Sequence, residues 1–169
     1  FIVLNENIEW TDSFYTVLSI GGIQVAKYFK DKKFKKVAYI GEEKSEKYKG
    51  FLKEINSENK INNIEDNITF NLGKNLREII SKKVNKLNLS CEAFFFSSDT
   101  IAFIFLEEAK KIGIDLRDKE LVAFDNTLIS KVLQISSVEQ PMELLAEKGV
   151  NLLLEKITKD IKLDEIYNV

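Results

Sequence analysis

The sequence predicts an open α/β fold built on a parallel sheet, and three observations point there. Segments with helical apolar spacing alternate with short β-rich runs, those runs are almost continuously apolar, and the residues just past them are polar. A strand covered by helices on both faces must be apolar throughout, whereas a strand wetted on one side alternates. Phe1–Leu4 reads as a first strand, followed by a loop-like stretch holding Trp10 and Phe14, and then a short helix over about 22–30. Val37–Ile40 is the next apolar run. Tyr48, Phe51, Leu52 and Ile55 then place one apolar stripe on a helix. Ile68–Leu72 is a strand, and Leu76, Ile79, Ile80, Val84 and Leu87 repeat the helical stripe. Ala93–Phe96 leads into a helix through Ile101, Phe105, Ala109 and Ile112, with Ser98 or Asp99 placed to cap its start and Gly113 just beyond its end. Leu121–Phe124 is the last buried run. Pro141 opens a helix whose apolar positions are Met142, Leu145, Ala146, Gly149, Val150, Leu153 and Ile157. Residues 165–169 read as a further strand. With Phe1–Leu4 it suggests pieces of a second sheet, so the chain is expected to be a fragment.

Composition narrows the function. The chain has 169 residues, 44% hydrophobic and 31% charged, the balance of an ordinary globular protein. With 25 basic and 27 acidic side chains its net charge is −2, and it lacks the basic excess of a free-standing nucleic-acid binder. The run KDKKFKK at 30–36 reads as a solvated helix end. No stretch has the length of a membrane span, and FIVLNENIEW has no signal-peptide pattern. With no histidine and one cysteine, a Ser-His-Asp triad, a cysteine–histidine pair and a zinc set are all excluded. No phosphate-binding loop is present, Gly21-Gly22 is not a dinucleotide fingerprint, and no cofactor is expected. Asp99 and Asp125 both follow strands, as in a phosphoacceptor receiver, but receiver spacing is missing elsewhere. The lone Cys91 excludes an internal disulfide and fits a reducing compartment.

Ligands of an open parallel sheet bind beyond the carboxyl ends of its strands, where backbone N–H groups of the following helices are unsatisfied. Residues at that edge are Asn5, Gly41 to Lys47, Ser97, Ser98, Asp99, Asp125, Asn126 and Gln140. Each also has a purely structural reading. Ser98 and Asp99 suit a helix cap, Asp125 and Asn126 an Asx turn, Lys47 an exposed helix face, and Gln140 a hinge. Trp10 and Phe14 suit stacking on a sugar or packing between lobes equally.

Four segments in series carry a family resemblance. AKYFKDKKFKKVAYIG (26–41) and KYKGF (47–51) resemble the strand and R-x-x-G-[FW] segments of the LacI/GalR transcriptional regulators. FFFSSDTIAFIFLEEAKKIGIDLRDKELVAFDN (94–126) and ISSVEQPMELLAEKGVNLLLEKI (135–157) resemble that family's ND-x-x-A to [FY]-D-[DN] and TV-x-QP segments. The resemblance implies a periplasmic-binding-protein-like type I core. One lobe over 18–140 would be complete, with parts of the other at 1–17 and 141–169. The DNA-binding helix-turn-helix would lie upstream of Phe1. It also implies a sugar-like effector bound between lobes, contacted by Asn5, Lys47, Ser98, Asp125 and Gln140, with homodimerisation, a cytoplasmic location and operator binding only through the absent head. Lys47 stands where the family has arginine, Ser98 where it has asparagine, and Leu18-Ser19 where it often has Asp-Asn. The competing reading is a solute-binding protein that delivers a sugar to a transporter, and fold alone does not separate the two.

Overall fold

The computed structural model describes residues 2–4, 12–15, 17–57, 63–64, 68–70, 75–85, 90–159 and 167–168. Along the chain these form β1 (Ile2–Leu4), β2 (Asp12–Tyr15), α1 (Leu18–Asp31), β3 (Lys36–Glu42), α2 (Glu46–Ile55), β4 (Asn63–Ile64), β5 (Ile68–Phe70) and α3 (Leu76–Val84). Then follow β6 (Ala93–Phe96), α4 (Asp99–Lys111), β7 (Glu120–Asp125), α5 (Leu128–Leu133), β8 (Ser136–Glu139), α6 (Met142–Lys159) and β9 (Tyr167–Asn168). The chain divides into two compact units. The larger is Leu18–Glu139, and the smaller joins Phe1–Val17 to Gln140–Val169.

In the larger unit every strand pairing is parallel. The order is β4-β3-β6-β7-β8, with β5 pairing a later stretch of β3 on the same edge as β4. All carboxyl ends therefore share one edge. Successive side chains of a strand face opposite sides, and that period sorts the core. Val37, Tyr39, Ala93, Phe95, Val122 and Phe124 face α1 and α2, packing with Val25, Ala26, Phe29, Phe51 and Ile55. Ala38, Ile40, Phe94, Phe96 and Ala123 face α3 and α4, packing with Ile80, Val84, Ile101, Phe105 and Ala109. The apolar runs of the sequence are thus strands sandwiched between two helical layers.

Two glycines bring α1 and α2 together. A Cβ on Gly22 would lie 2.0 Å from the Lys47 carbonyl oxygen, and one on Gly50 would lie 2.0 Å from that of Ser19. Only hydrogen fits at either place. Lys30, at the end of α1, reaches across the contact to Glu54 Oε1 at 3.0 Å and to Ser57 Oγ at 3.0 Å. On the other face Arg77 of α3 donates to Glu107 and Glu108 of α4 at 2.8 and 2.7 Å. The Lys111 ammonium and the Arg77 guanidinium beside Glu108 hold its carboxyl below the usual range.

The smaller unit holds a parallel three-stranded sheet, β1-β2-β9, with α6 packed on β1 and β2. Leu145, Gly149 and Leu152 form the buried seam of α6, while Val150, Leu153 and Ile157 from the expected stripe are exposed. Pro141 directly precedes the helix and its carbonyl accepts the first helical bond, from Leu145 N–H.

Several elements depart from expectation. Phe14 lies in β2, not in a loop. α1 begins at Leu18 rather than Gly22, because its first turn carries the glycine pair and shows no apolar period. α5 has six residues, too few for a helical stripe to register. β8 is an edge strand and only half covered, so its Ser-Ser-Val-Glu sequence needs no apolar run. Of the basic run at 30–36, Lys30 is buried in its ion pair, and Phe34 packs edge-on against Phe29 at 5.8 Å. Phe1, Asn5, Trp10, Leu72 and Leu87 lie outside the described residues.

Candidate functional site

The carboxyl edge of the large sheet is built by three strand-to-helix junctions. At the first, Ser45 caps α2 by accepting from Tyr48 N–H at 3.1 Å and also contacts the Tyr39 hydroxyl at 2.8 Å. Tyr39 and Tyr48 stack with ring centroids 4.4 Å apart. Burial pushes the Tyr39 hydroxyl up to about 12, against a smaller opposing effect of its hydrogen bond to Ser45. This junction fixes the first turn of α2, and Lys47 projects from it. The strand runs to Glu42, so Gly41 and Glu42 belong to β3 and the loop proper is short.

At the second junction Ser98, in extended conformation, caps α4 by accepting from Ile101 N–H at 3.2 Å. The cap is therefore Ser98 and not Asp99. At the third, Asp125 and Asn126 adopt φ of 103° and 49°, consecutive left-handed residues without a glycine. Such conformations cost on the order of 1–3 kcal/mol each and persist only where the surroundings over-determine them.

Lys47 brings these junctions together. Its ammonium donates to the Ser97 carbonyl at 2.8 Å, lies 3.5 Å from Asp125 Oδ1, and sits 4.0 Å above the Phe124 ring centroid. The Lys47 side chain is 13% exposed and that of Asp125 28%, so the pair is reachable from solvent without being surface-solvated. The bond to Ser97 is short, while that to Asp125 is at the outer limit of hydrogen bonding. A ligand hydroxyl inserted there would accept from the ammonium and donate to the carboxylate. The ring face below favours the cation by about 0.5–2 kcal/mol.

Asp99, 1% exposed, is held away from solvent. Its Oδ2 accepts from Thr127 N–H at 2.6 Å and from Thr127 Oγ1 at 2.8 Å, and its Oδ1 accepts from Ser137 Oγ at 2.7 Å. Ser137 Oγ in turn accepts from Asn126 N–H at 3.0 Å. Thr127 N–H, the donor an Asx turn at Asp125 would engage, donates to Asp99 Oδ2. Thr127 itself caps α5, accepting from Ile129 N–H at 3.2 Å.

Of the five residues expected to bind ligand, Lys47 and Asp125 are in contact, and Ser98 is next to the serine whose carbonyl Lys47 holds. Asn5 lies outside the described residues, and Gln140 belongs to the smaller unit, where its carbonyl accepts from Met142 N–H at 2.8 Å. The Asp99–Thr127–Ser137 cluster was missed, and no local pattern marks it: its members are 28 and 38 residues apart. Among the described residues no group of three His, Cys, Asp or Glu is placed to hold a metal, and no helix is long and apolar enough to cross a membrane.

The periplasmic binding protein-like domain family matches residues 26–165. No curated protein matches the sequence. Among solved structures, a LacI family transcriptional regulator from Enterococcus faecium with bound ribose superposes with a TM-score of 0.81 at 17% identity, over 100% of this chain and 66% of that one. A periplasmic binding protein/LacI transcriptional regulator from Alkaliphilus metalliredigens complexed with D-xylulofuranose gives 0.77 at 23% identity, over 99% and 66%. A LacI family regulator from Enterococcus faecalis V583 with bound ribose gives 0.78 at 22%, over 100% and 64%. The chain thus spans about two thirds of the length of these structures, which at such identities share its fold. With the family model covering most of the sequence and a parallel sheet presenting polar side chains at its carboxyl edge, the chain belongs to the periplasmic binding protein-like domain family.

Proposed function

We propose that this chain is part of the effector-binding core of a LacI/GalR-type transcriptional regulator, and that it binds a small sugar. The observation that carries the reading is the Lys47–Asp125 pair at the carboxyl edge, a cation and a carboxylate 3.5 Å apart above an aromatic ring. A sugar hydroxyl is donor and acceptor at once, and this pair offers it both complements. Ser98 adds a hydroxyl on the same edge, and the resemblance assigns Asn5 and Gln140 to the same ligand. Lysine in place of the family's arginine presents a point charge without a planar fork, which suits a ligand gripped at one hydroxyl rather than two. The role is binding, not catalysis: sugar binding would shift the balance between conformations and so change operator affinity through a DNA-reading head outside this chain. In that role the protein acts in the cytoplasm as a homodimer.

The test is calorimetric titration of the full-length protein with D-ribose, D-xylulose and cellobiose, followed by operator-binding assays with and without the sugar that binds. Lys47→Ala and Asp125→Ala should each weaken binding about 10- to 100-fold, the loss of a charge-assisted hydrogen bond worth ~1.5–3 kcal/mol. A full-length protein whose DNA affinity no sugar alters would overturn the regulatory reading.

A further inference from the structure

We propose that Asp99 is the positioning residue of this site: through Thr127 and Ser137 it holds the Asp125–Asn126 turn in its left-handed conformation and keeps the Asp125 carboxylate facing Lys47. The inference rests on reading Lys47 and Asp125 as the ligand-binding pair.

Two consecutive non-glycine residues with φ of 103° and 49° need an external constraint, and the hydrogen bonds identify it. The two backbone donors that follow Asp125 do not enter strand or helix ladders. Asn126 N–H goes to Ser137 Oγ, and Thr127 N–H goes to Asp99 Oδ2. Ser137 is in β8, the strand paired directly with β7, and its hydroxyl is oriented by Asp99: donating its proton to Oδ1 leaves its lone pairs for Asn126 N–H. Three donors, the Thr127 N–H, the Thr127 hydroxyl and the Ser137 hydroxyl, thus converge on one carboxylate. A carboxylate accepts at both oxygens, whereas an amide of the same shape would aim an NH2 at one of those donors. The buried charge is met by neutral donors and by the first turn of α4, where the helix dipole favours an anion. Asp99 therefore ties α4, the β7–α5 turn and β8 together at the point where Asp125 must face Lys47, without touching the ligand position itself.

The experiment compares full-length wild type with Asp99→Asn, Ser137→Ala and Ser137→Thr. Amide hydrogen exchange and the Asp125 carboxyl carbon resonance are read by NMR, and D-ribose and D-xylulose affinity by calorimetry. Ser137→Ala and Asp99→Asn should speed exchange at Asn126 and Thr127 about tenfold (~1.4 kcal/mol) relative to Val122 and Ala123, and weaken sugar binding by a similar factor. Ser137→Thr keeps the hydroxyl and should restore both. In the wild type the Asp125 carboxyl resonance should move when Lys47 is replaced by Met; in the Ser137→Ala background that Lys47-dependent difference should vanish. Unchanged exchange at Asn126, a persisting Lys47-dependent difference, or a loosened turn with full affinity each overturns the positioning role. A wild type that binds neither sugar refutes the choice of ligand instead, and the Lys47-dependent resonance then still decides whether Asp99 positions Asp125.

Discussion

Replacing Gly50 by alanine isolates the contact that places Lys47. The new Cβ would stand 2.0, 2.8 and 2.9 Å from the oxygen, carbonyl carbon and Cα of Ser19. These are backbone atoms, so no side chain can rotate away, and α1 must retreat from α2 by about 1.4 Å to restore the 3.4 Å of ordinary contact. Such a shift opens the packing of two fully buried rings, Phe29 and Phe51, whose centroids lie 6.0 Å apart at 90°. Alanine gains ~1 kcal/mol of helix propensity over glycine, and overpacking costs ~1–3 kcal/mol or more. Because the clash is backbone on backbone, the cost falls at the upper end, and the net loss should be about 2 kcal/mol. For a chain of this size that corresponds to a melting temperature lower by roughly 4–8 °C. Urea unfolding followed by circular dichroism measures it, with the exposed Lys49→Ala on the same helix as a control expected to be near neutral. Lys47 is one turn from the clash, so under the proposed function the affinity for a sugar should fall as well. A Gly50→Ala protein as stable as wild type, or more stable, would show that propensity alone governs this position and refute the close-packing argument.

Further outcomes follow from the same geometry. Burial holds Tyr39 protonated to about 12, above the ordinary tyrosine value of 10.0 that applies when the chain is unfolded. Its contribution to stability is therefore complete below pH 10 and is lost as the pH rises towards 12, a change of roughly 2–3 kcal/mol. Urea midpoints between pH 9 and 11.5 should fall more steeply for wild type than for Tyr39→Phe; equal slopes would show that Tyr39 titrates as an exposed tyrosine. Phe105→Ala removes a fully buried ring from the α4 side of the sheet and should cost ~3–5 kcal/mol by chemical denaturation. Ser98→Ala removes the α4 cap and should cost ~1 kcal/mol, with Ser98→Asn retaining most of it. Equal losses for both Ser98 variants would rule out the cap as the source.

The alternation of helical and strand periods was legible because it is a local property. Val37–Ile40, Ala93–Phe96 and Leu121–Phe124 had to be apolar on both faces, and they are the sandwiched strands. Polar residues after those strands marked the carboxyl edge, and the serial resemblance implied the periplasmic-binding-protein-like core whose family the sequence matches over 26–165. Elements whose burial does not impose a period were not legible: the half-covered β8, the six-residue α5, and the start of α1, where glycines serve a neighbour rather than their own helix. The chemistry of the site was decided by tertiary structure. Lys47 and Asp125 are 78 residues apart, and only parallel pairing of β3, β6 and β7 sets them at one edge. Asp99 looked like a cap because it begins a helix, yet its carboxylate is spent on Thr127 and Ser137. Sequence period reports which face of an element is buried. Which distant donor meets a given acceptor depends on strand register and helix approach, and those exist only in the folded chain.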